Sequence, residues 1–317
     1  MHLVSLLLLT LCLAALPARE EPVIEVAVTF DDLPASQQGI PIDRLRAMTE
    51  RLLAGLEKHG IPAVGLVNEE KLYHRRGEVD ARMELLIRWL EAGHELGNHT
   101  YSHPSLYDTP LETFKEDVIR GETVTSRLLA ERDRELRWFR HPFLRTGGTL
   151  AVRRDFESWL TARGYTVAPV TLENWDWMFA AIYSQARTRS DRKTMAAVTD
   201  AYVEFSERHF AFLERATLKV VGRQVKHVLL LHASELNADC LDRLVAMMKQ
   251  RGYRFISLAD ALGDEAYGLP DDYVGRAGVH WLWRWDRDRK VEWQQEPVPS
   301  DRIQRMYEAR EDYSAVG

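Results

Sequence analysis

Short apolar, β-branched runs alternate along this chain with longer stretches whose apolar residues recur every three or four positions. A strand-then-helix repeat of this kind, sustained six or seven times, confines a chain to a parallel α/β architecture, because parallel strands need crossover helices to join them. The pattern predicts strands over 23–30, 63–67, 136–139, 165–170, 225–231 and 253–257. It predicts helices over 43–59, 80–91, 111–130, 150–163, 195–218 and 238–250, several closed by Gly60, Gly93, Gly164 or Gly252. The repeat is barrel-like rather than an open sheet, although periodicity alone does not exclude the latter, and polar residues gather where the strands end, where α/β barrels carry chemistry. With 317 residues, 45% of them hydrophobic and a net charge of -6, the chain can hold one large α/β domain or two small ones. That mild charge gives no reason to expect a nucleic-acid partner.

Two ends depart from the repeat. Residues 3–16 are almost wholly apolar and run into Leu16-Pro-Ala18 before Arg19-Glu-Glu, as in an export signal cleaved after residue 18. No later segment is apolar enough to cross a bilayer, so the mature chain is expected to have no membrane span. Cys12 lies in that leader and leaves Cys240 alone, a core residue with no disulfide partner. After Gly263 the character changes again. Trp281, Trp283, Trp285 and Trp293 stand among charges, and alternation over 281–285 would put three indoles on one face of a strand, packed on the barrel or offered to sugars.

The chemistry begins at Asp31-Asp32, adjacent carboxylates ending an apolar strand where both acids can aim at one centre. Further on, His99 and His103 are four residues apart, one helical turn, with Asn98 placed to cap that turn. One acid and two imidazoles form a facial ligand set with open positions, leaving the second acid free as a base. His94 reads as a strand residue with a structural role.

Three further motifs sit at strand ends. Arg140 can hold a carboxylate bidentately, while Pro142 stiffens the loop and leaves the Phe143 N–H free to meet an oxyanion. Glu173-Asn-Trp-Asp176-Trp177 mixes acids, one of which could orient a histidine, with indoles that could wall a sugar pocket. Leu231-His232 ends a buried strand, where a histidine is either structural or a general acid.

Together, Thr29-Phe-Asp-Asp32, His99-x-x-x-His103, Arg140-x-Pro-Phe143, Glu173-x-x-Asp176-Trp177 and Leu231-His232 resemble the five ordered motifs of the NodB-like polysaccharide deacetylases, carbohydrate esterase family 4. The resemblance spans roughly residues 24–262. It implies a distorted (β/α) barrel over 19–263, a divalent metal such as zinc, and hydrolysis of acetyl groups on a polysaccharide or oligosaccharide. Carried over, Asp32, His99 and His103 would bind the metal, Asp31 would be the base, and Arg140 would orient it. His232 would be the acid, tuned by Glu173 or Asp176, and the Phe143 amide would hold the oxyanion. Trp177, with Pro142 and Leu231, would line the substrate pocket.

Departures from the family pattern are Leu33 where Gly is common, Phe143 for a frequent Tyr, and Glu173 for the usual Asp. A helical insertion near 178–220 is able to remodel the groove, and 264–317 forms an extension. The motifs name neither the glycan nor the oligomeric state. Two rival readings keep the fold: a hydrolase of small amides, and a non-catalytic glycan-binding module.

Overall fold

The protein is described over residues 23–310 by a computed structural model. The expected leader and Cys12 lie outside those residues. Helices and strands alternate as β1 (Ile24–Leu33), α1 (Ile42–His59), β2 (Ala63–Val67), α2 (Val79–Glu91) and β3 (Glu95–Asn98). Then come α3 (Leu111–Arg120), α4 (Thr123–Ala130), β4 (Trp138–Phe139), α5 (Leu150–Ala162) and β5 (Thr166–Val167). α6 (Asp176–Thr188), α7 (Arg192–Val221), β6 (His227–His232), α8 (Glu235–Gln250), β7 (Tyr253–Ile256) and α9 (Leu258–Leu262) complete the repeat. Two short helices follow, α10 (Trp281–Trp285) and α11 (Asp301–Glu308).

Every strand pair is parallel, in the order β5-β4-β3-β2-β1-β6. β7 pairs with Ile24–Ala27 of β1. Val26 and Ala27 pair with β6 as well, so β7 must use the edge of β1 that β2 takes over from Val28 onward. Closure comes from the chain after β5. Thr166 and Val167 pair with β4, and five residues later Leu172 bridges Leu229 of β6, with Leu230 N–H donating to Leu172 O at 2.9 Å. One segment thus touches both edges of the sheet and makes it a distorted (β/α) barrel.

Local chemistry explains the elements. β1 is buried almost end to end, as a central parallel strand covered on both faces must be. α1 buries Leu45, Met48, Leu52 and Leu56 on one face and stops at Gly60, whose φ of 64° permits the left-handed cap. The Thr149, Asp191 and Ser234 side chains accept N–H bonds from the first turns of α5, α7 and α8. Cys240 is free and buried in the core, as expected.

Some elements differ from the pattern reading. The helix expected over 111–130 is two helices broken at Gly121. A Cβ there would sit 2.6 Å from the Thr100 carbonyl carbon and the Tyr101 nitrogen, so the histidine loop rests on this glycine. The strand expected over 165–170 shrinks to two residues, since Pro169 has no ladder donor. The tryptophan run is not a strand. It is α10, capped by His280, and the helical turn buries Trp281 and Trp285 while Trp283 packs edge-on to Tyr273. The sugar-facing reading of that run is thereby corrected.

Candidate active site

At the C-terminal end of β1 the register shifts between Phe30 and Leu33, and Asp32 takes φ 72°. In a regular strand Asp31 and Asp32 would point to opposite faces; the bulge turns both toward one centre. Asp31 is buried. Its Oδ1 accepts from Arg140 Nη1 at 2.7 Å, and its Oδ2 faces His99 Nε2 at 3.7 Å. Burial raises its pKa, against the opposing pull of Arg140 and His232, which suits a base.

Arg140 is wholly buried at the end of β4. It does not hold Asp31 bidentately, as the sequence suggested: only Nη1 reaches the carboxylate. Nη1 also donates to Thr29 Oγ1, Nε to Ala168 O and Nη2 to Pro169 O. The rest of the fork serves backbone carbonyls and locks the guanidinium in place.

His99 and His103 lie in a loop after β3 rather than on a helical turn. Thr100 and His103 take φ 67° and 60°, which brings the rings to 4.8 Å, edge to face. Asn98, expected to cap a helix, instead accepts the Thr100 N–H through Oδ1 at 2.7 Å. Asp117 of α3 accepts from the N–H groups of Tyr101 and Ser102 at 2.9 Å, and Asn68 donates to His99 O. His94 is buried edge-on to Trp89 just before β3, a structural position.

The ligand atoms of Asp32, His99 and His103 all lie within 4.8 Å of one another. His99 Nδ1 lies 2.9 Å from Arg140 O, which can only accept, so Nε2 carries the lone pair toward the acids. Burial pulls the pKa of His99 down to about 4 and that of His103 to about 3, so both are neutral. Asp32 is the reverse. Burial works to raise it, but the Lys71 ammonium and the His232 imidazolium hold it below the usual carboxylate range. Its Oδ1 faces the Lys71 ammonium at 3.0 Å and His103 Nε2 at 3.7 Å. A charged carboxylate and two neutral imidazoles whose ligand atoms converge fit a divalent cation.

Behind β6, His232 Nδ1 lies 2.7 Å from Asp176 Oδ1, while Asp176 Oδ2 accepts from His232 N and Asn237 Nδ2, both at 2.6 Å. Glu173 turns away. It accepts Trp175 N–H and clusters with His209 and Glu296, so its expected part in tuning His232 is not what the structure builds. Within that cluster the hydrogen bond runs between His209 Nε2 and Glu296 Oε1, at 2.8 Å, and His280 reaches the same oxygen from the tail. His280 Nδ1 accepts Trp283 N–H, so its Nε2 bears a proton, which it gives to Glu296 Oε1 at 3.2 Å.

Phe143 (φ 56°) and Leu144 (φ 54°) follow Pro142, and the exposed Phe143 ring meets His103 edge-on at 4.4 Å. Trp177 is 38% exposed between Trp175 and Tyr307, whereas Leu231 and Pro142 are buried, Leu231 in the core. Six of the nine non-glycine residues with positive φ among those described fall within or next to the five motifs, so backbone strain concentrates at the site.

Pattern reading missed Lys71. Its Nζ stands 3.0 Å from Asp32 Oδ1, and it lines a cavity of about 270 Å³ with Ser36, Asn68, Tyr101 and His103. A lysine on a helical turn after β2 carries no motif signal. Also missed were Asn237 and Tyr202, whose hydroxyl donates to Asn237 Oδ1 at 2.7 Å and so steadies Asp176 from the inserted helix α7.

Residues 18–156 match the polysaccharide deacetylase family model. A curated peptidoglycan-N-acetylglucosamine deacetylase of Bacillus cereus is 23% identical over 243 residues, 74% of this chain and 66% of its own. The chain thus spans a little under two thirds of that relative. Among solved structures, a Bacillus cereus polysaccharide deacetylase aligns at 17% identity and TM-score 0.49, over 74% of this chain and 91% of its own. A family 4 pseudoenzyme from Bacillus anthracis aligns at 16% and 0.48, over 75% and 65%.

Proposed function

We propose that this chain, which belongs to the NodB-like polysaccharide deacetylases, removes N-acetyl groups from a cell-envelope or extracellular glycan in a metal-dependent hydrolysis. One observation carries the reading: a base held by a buried arginine and an acid backed by a buried carboxylate flank a neutral two-histidine, one-carboxylate ligand set. A glycan-binding module would need neither acid nor base.

A divalent cation, zinc being our choice, would be held by Asp32, His99 and His103 and would supply the charge that polarises the acetyl carbonyl and acidifies water. Asp31, anchored through Oδ1, keeps Oδ2 to take the proton as water oxygen bonds to the acetyl carbon. The Phe143 N–H is assigned to the oxyanion. His232 gives its proton to the sugar nitrogen as the carbon–nitrogen bond breaks, leaving a free amine and acetate, while Asp176 holds the imidazolium. Trp177 offers an apolar face to the sugar. We also assign residues 1–18 to an export signal, which would bring the enzyme to such a substrate.

Acetate release from chitooligosaccharides, peptidoglycan and an acetyl ester, before and after zinc is stripped and restored, tests this. Zinc-dependent release from a glycan is expected. Turnover of small amides alone would move the substrate, and tight zinc binding with no release from anything would end the enzymatic reading.

A further inference from the structure

The C-terminal segment after Gly263 looks like an appendix in sequence, yet it grips the loop that carries Phe143. Phe143 and Leu144 are consecutive non-glycine residues in the left-handed region, at a cost on the order of 1–3 kcal/mol each unless neighbours fix them. Arg284 supplies the fixing. Its guanidinium is buried, and Nη2 donates to Leu144 O at 2.6 Å, Nη1 to Thr146 Oγ1 at 3.4 Å and Nε to Val279 O at 2.9 Å. The group is held in turn by Asp271 Oδ2 at 3.5 Å and by the Trp281 ring, 3.9 Å away.

Gly278 closes the grip from the other side. A Cβ at this position would meet Phe143 O at 2.0 Å, although its own φ lies outside the left-handed region. The tail backbone can therefore lie against the Phe143 carbonyl only because no side chain intervenes. Two more contacts run along the same seam: Arg145 Nε donates to Arg276 O at 2.7 Å and Gly275 N to Gly147 O at 3.3 Å.

We propose that the tail is a working part of the catalytic centre, with Arg284 and Gly278 as positioning residues that set where Phe143 presents its N–H to the reacting carbonyl. This rests on the oxyanion role given to Phe143 above. It also gives the extension a reason to pack here: the loop's own turn bonds, Leu144 N to His141 O and Arg145 N to Pro142 O, both 3.1 Å, leave the Leu144 carbonyl for Arg284 and the Phe143 carbonyl against Gly278.

The test compares wild type with Gly278→Ala, Arg284→Met and Arg284→Lys. The readouts are kcat and KM, zinc affinity, and amide hydrogen exchange over 141–147. Gly278→Ala should lower kcat about a hundredfold, as an ångström-scale misplacement does, with KM and zinc affinity unchanged. Exchange should quicken over 141–147 but not in β1 or β3. Arg284→Met should do the same, and Arg284→Lys should recover part of the loss. Folded variants with wild-type kcat, or with a raised KM alone, would overturn the proposal. If wild type releases no acetate at all, the functional reading fails separately. Exchange alone then decides the clamp: faster loop exchange in Gly278→Ala supports it, and equal exchange sinks it.

Discussion

Asp176 stands directly behind His232, one carboxylate oxygen 2.7 Å from Nδ1 and the other accepting the histidine's own backbone N–H at 2.6 Å. The same carboxylate thus fixes both the ring and the peptide that carries it. Burial alone would lower the histidine's pKa, but Asp176, Asp32 and Asp31 outweigh it and push the value up to about 9.

The sign follows from the raised value. In the metal-free protein the imidazolium is present below about 9 and lost as pH rises through it, so a reaction needing this acid loses rate on its alkaline side. The pair stabilises the fold fully below the ordinary 6.5 and loses that contribution through about 9. Asp176→Asn should move the His232 titration, followed by NMR in the metal-free protein, to lower pH. Glu173→Gln should leave it in place. A titration indifferent to Asp176, or sensitive to Glu173, would refute the pairing.

Arg140 and Asp31 make a buried charge pair, so the two single variants should behave differently. Arg140→Met strands a carboxylate in the core and should cost about 3–5 kcal/mol in urea unfolding. Asp31→Asn removes that charge, so Asp31→Asn/Arg140→Met should be more stable than Arg140→Met alone. Turnover should still fall about 10²–10⁴-fold in Asp31→Asn with zinc bound, since the base is gone. Near-normal turnover in that variant would reassign the base.

Lys71 competes with a cation for the same Asp32 oxygen, at 3.0 Å. Lys71→Met should therefore bind zinc about tenfold tighter by calorimetry, the equivalent of one modest ion pair. Unchanged or weaker binding would show that the ammonium supports the site instead.

Glu296 ties the tail to α7 and takes bonds from His209 and His280. Burial would raise its pKa, but those two bonds bring it down to about 2. Its contribution is therefore present above the ordinary 4.5 and fades as pH falls toward 2. Glu296→Gln should cost about 1–3 kcal/mol at neutral pH and less in acid. A loss that grows on acidification would contradict the sign.

Much of this molecule was legible as sequence, and the residues show why. Strand and helix periods depend on local burial, so β2 matches its expected span and α1, α2 and α5 begin or end within one residue of theirs. The five motifs lie at strand ends because parallel barrels put their loops there, so the site's membership could be read in order along the chain. Spacing could not tell how those residues meet. Whether Asp31 and Asp32 converge depends on a bulge, and the histidines meet through two left-handed residues where a helical turn was expected. The partner of His232 was undecidable between Glu173 and Asp176, because only the packing of α6 against β6 turns one carboxylate inward. Lys71, Gly278 and Arg284 were invisible because their roles lie in contacts with residues far along the chain or in a different element. Sequence determined which chemistry the chain carries, since that is a property of residue types and local periods. Tertiary structure decided which groups touch, because a contact made across the barrel leaves no period in the chain.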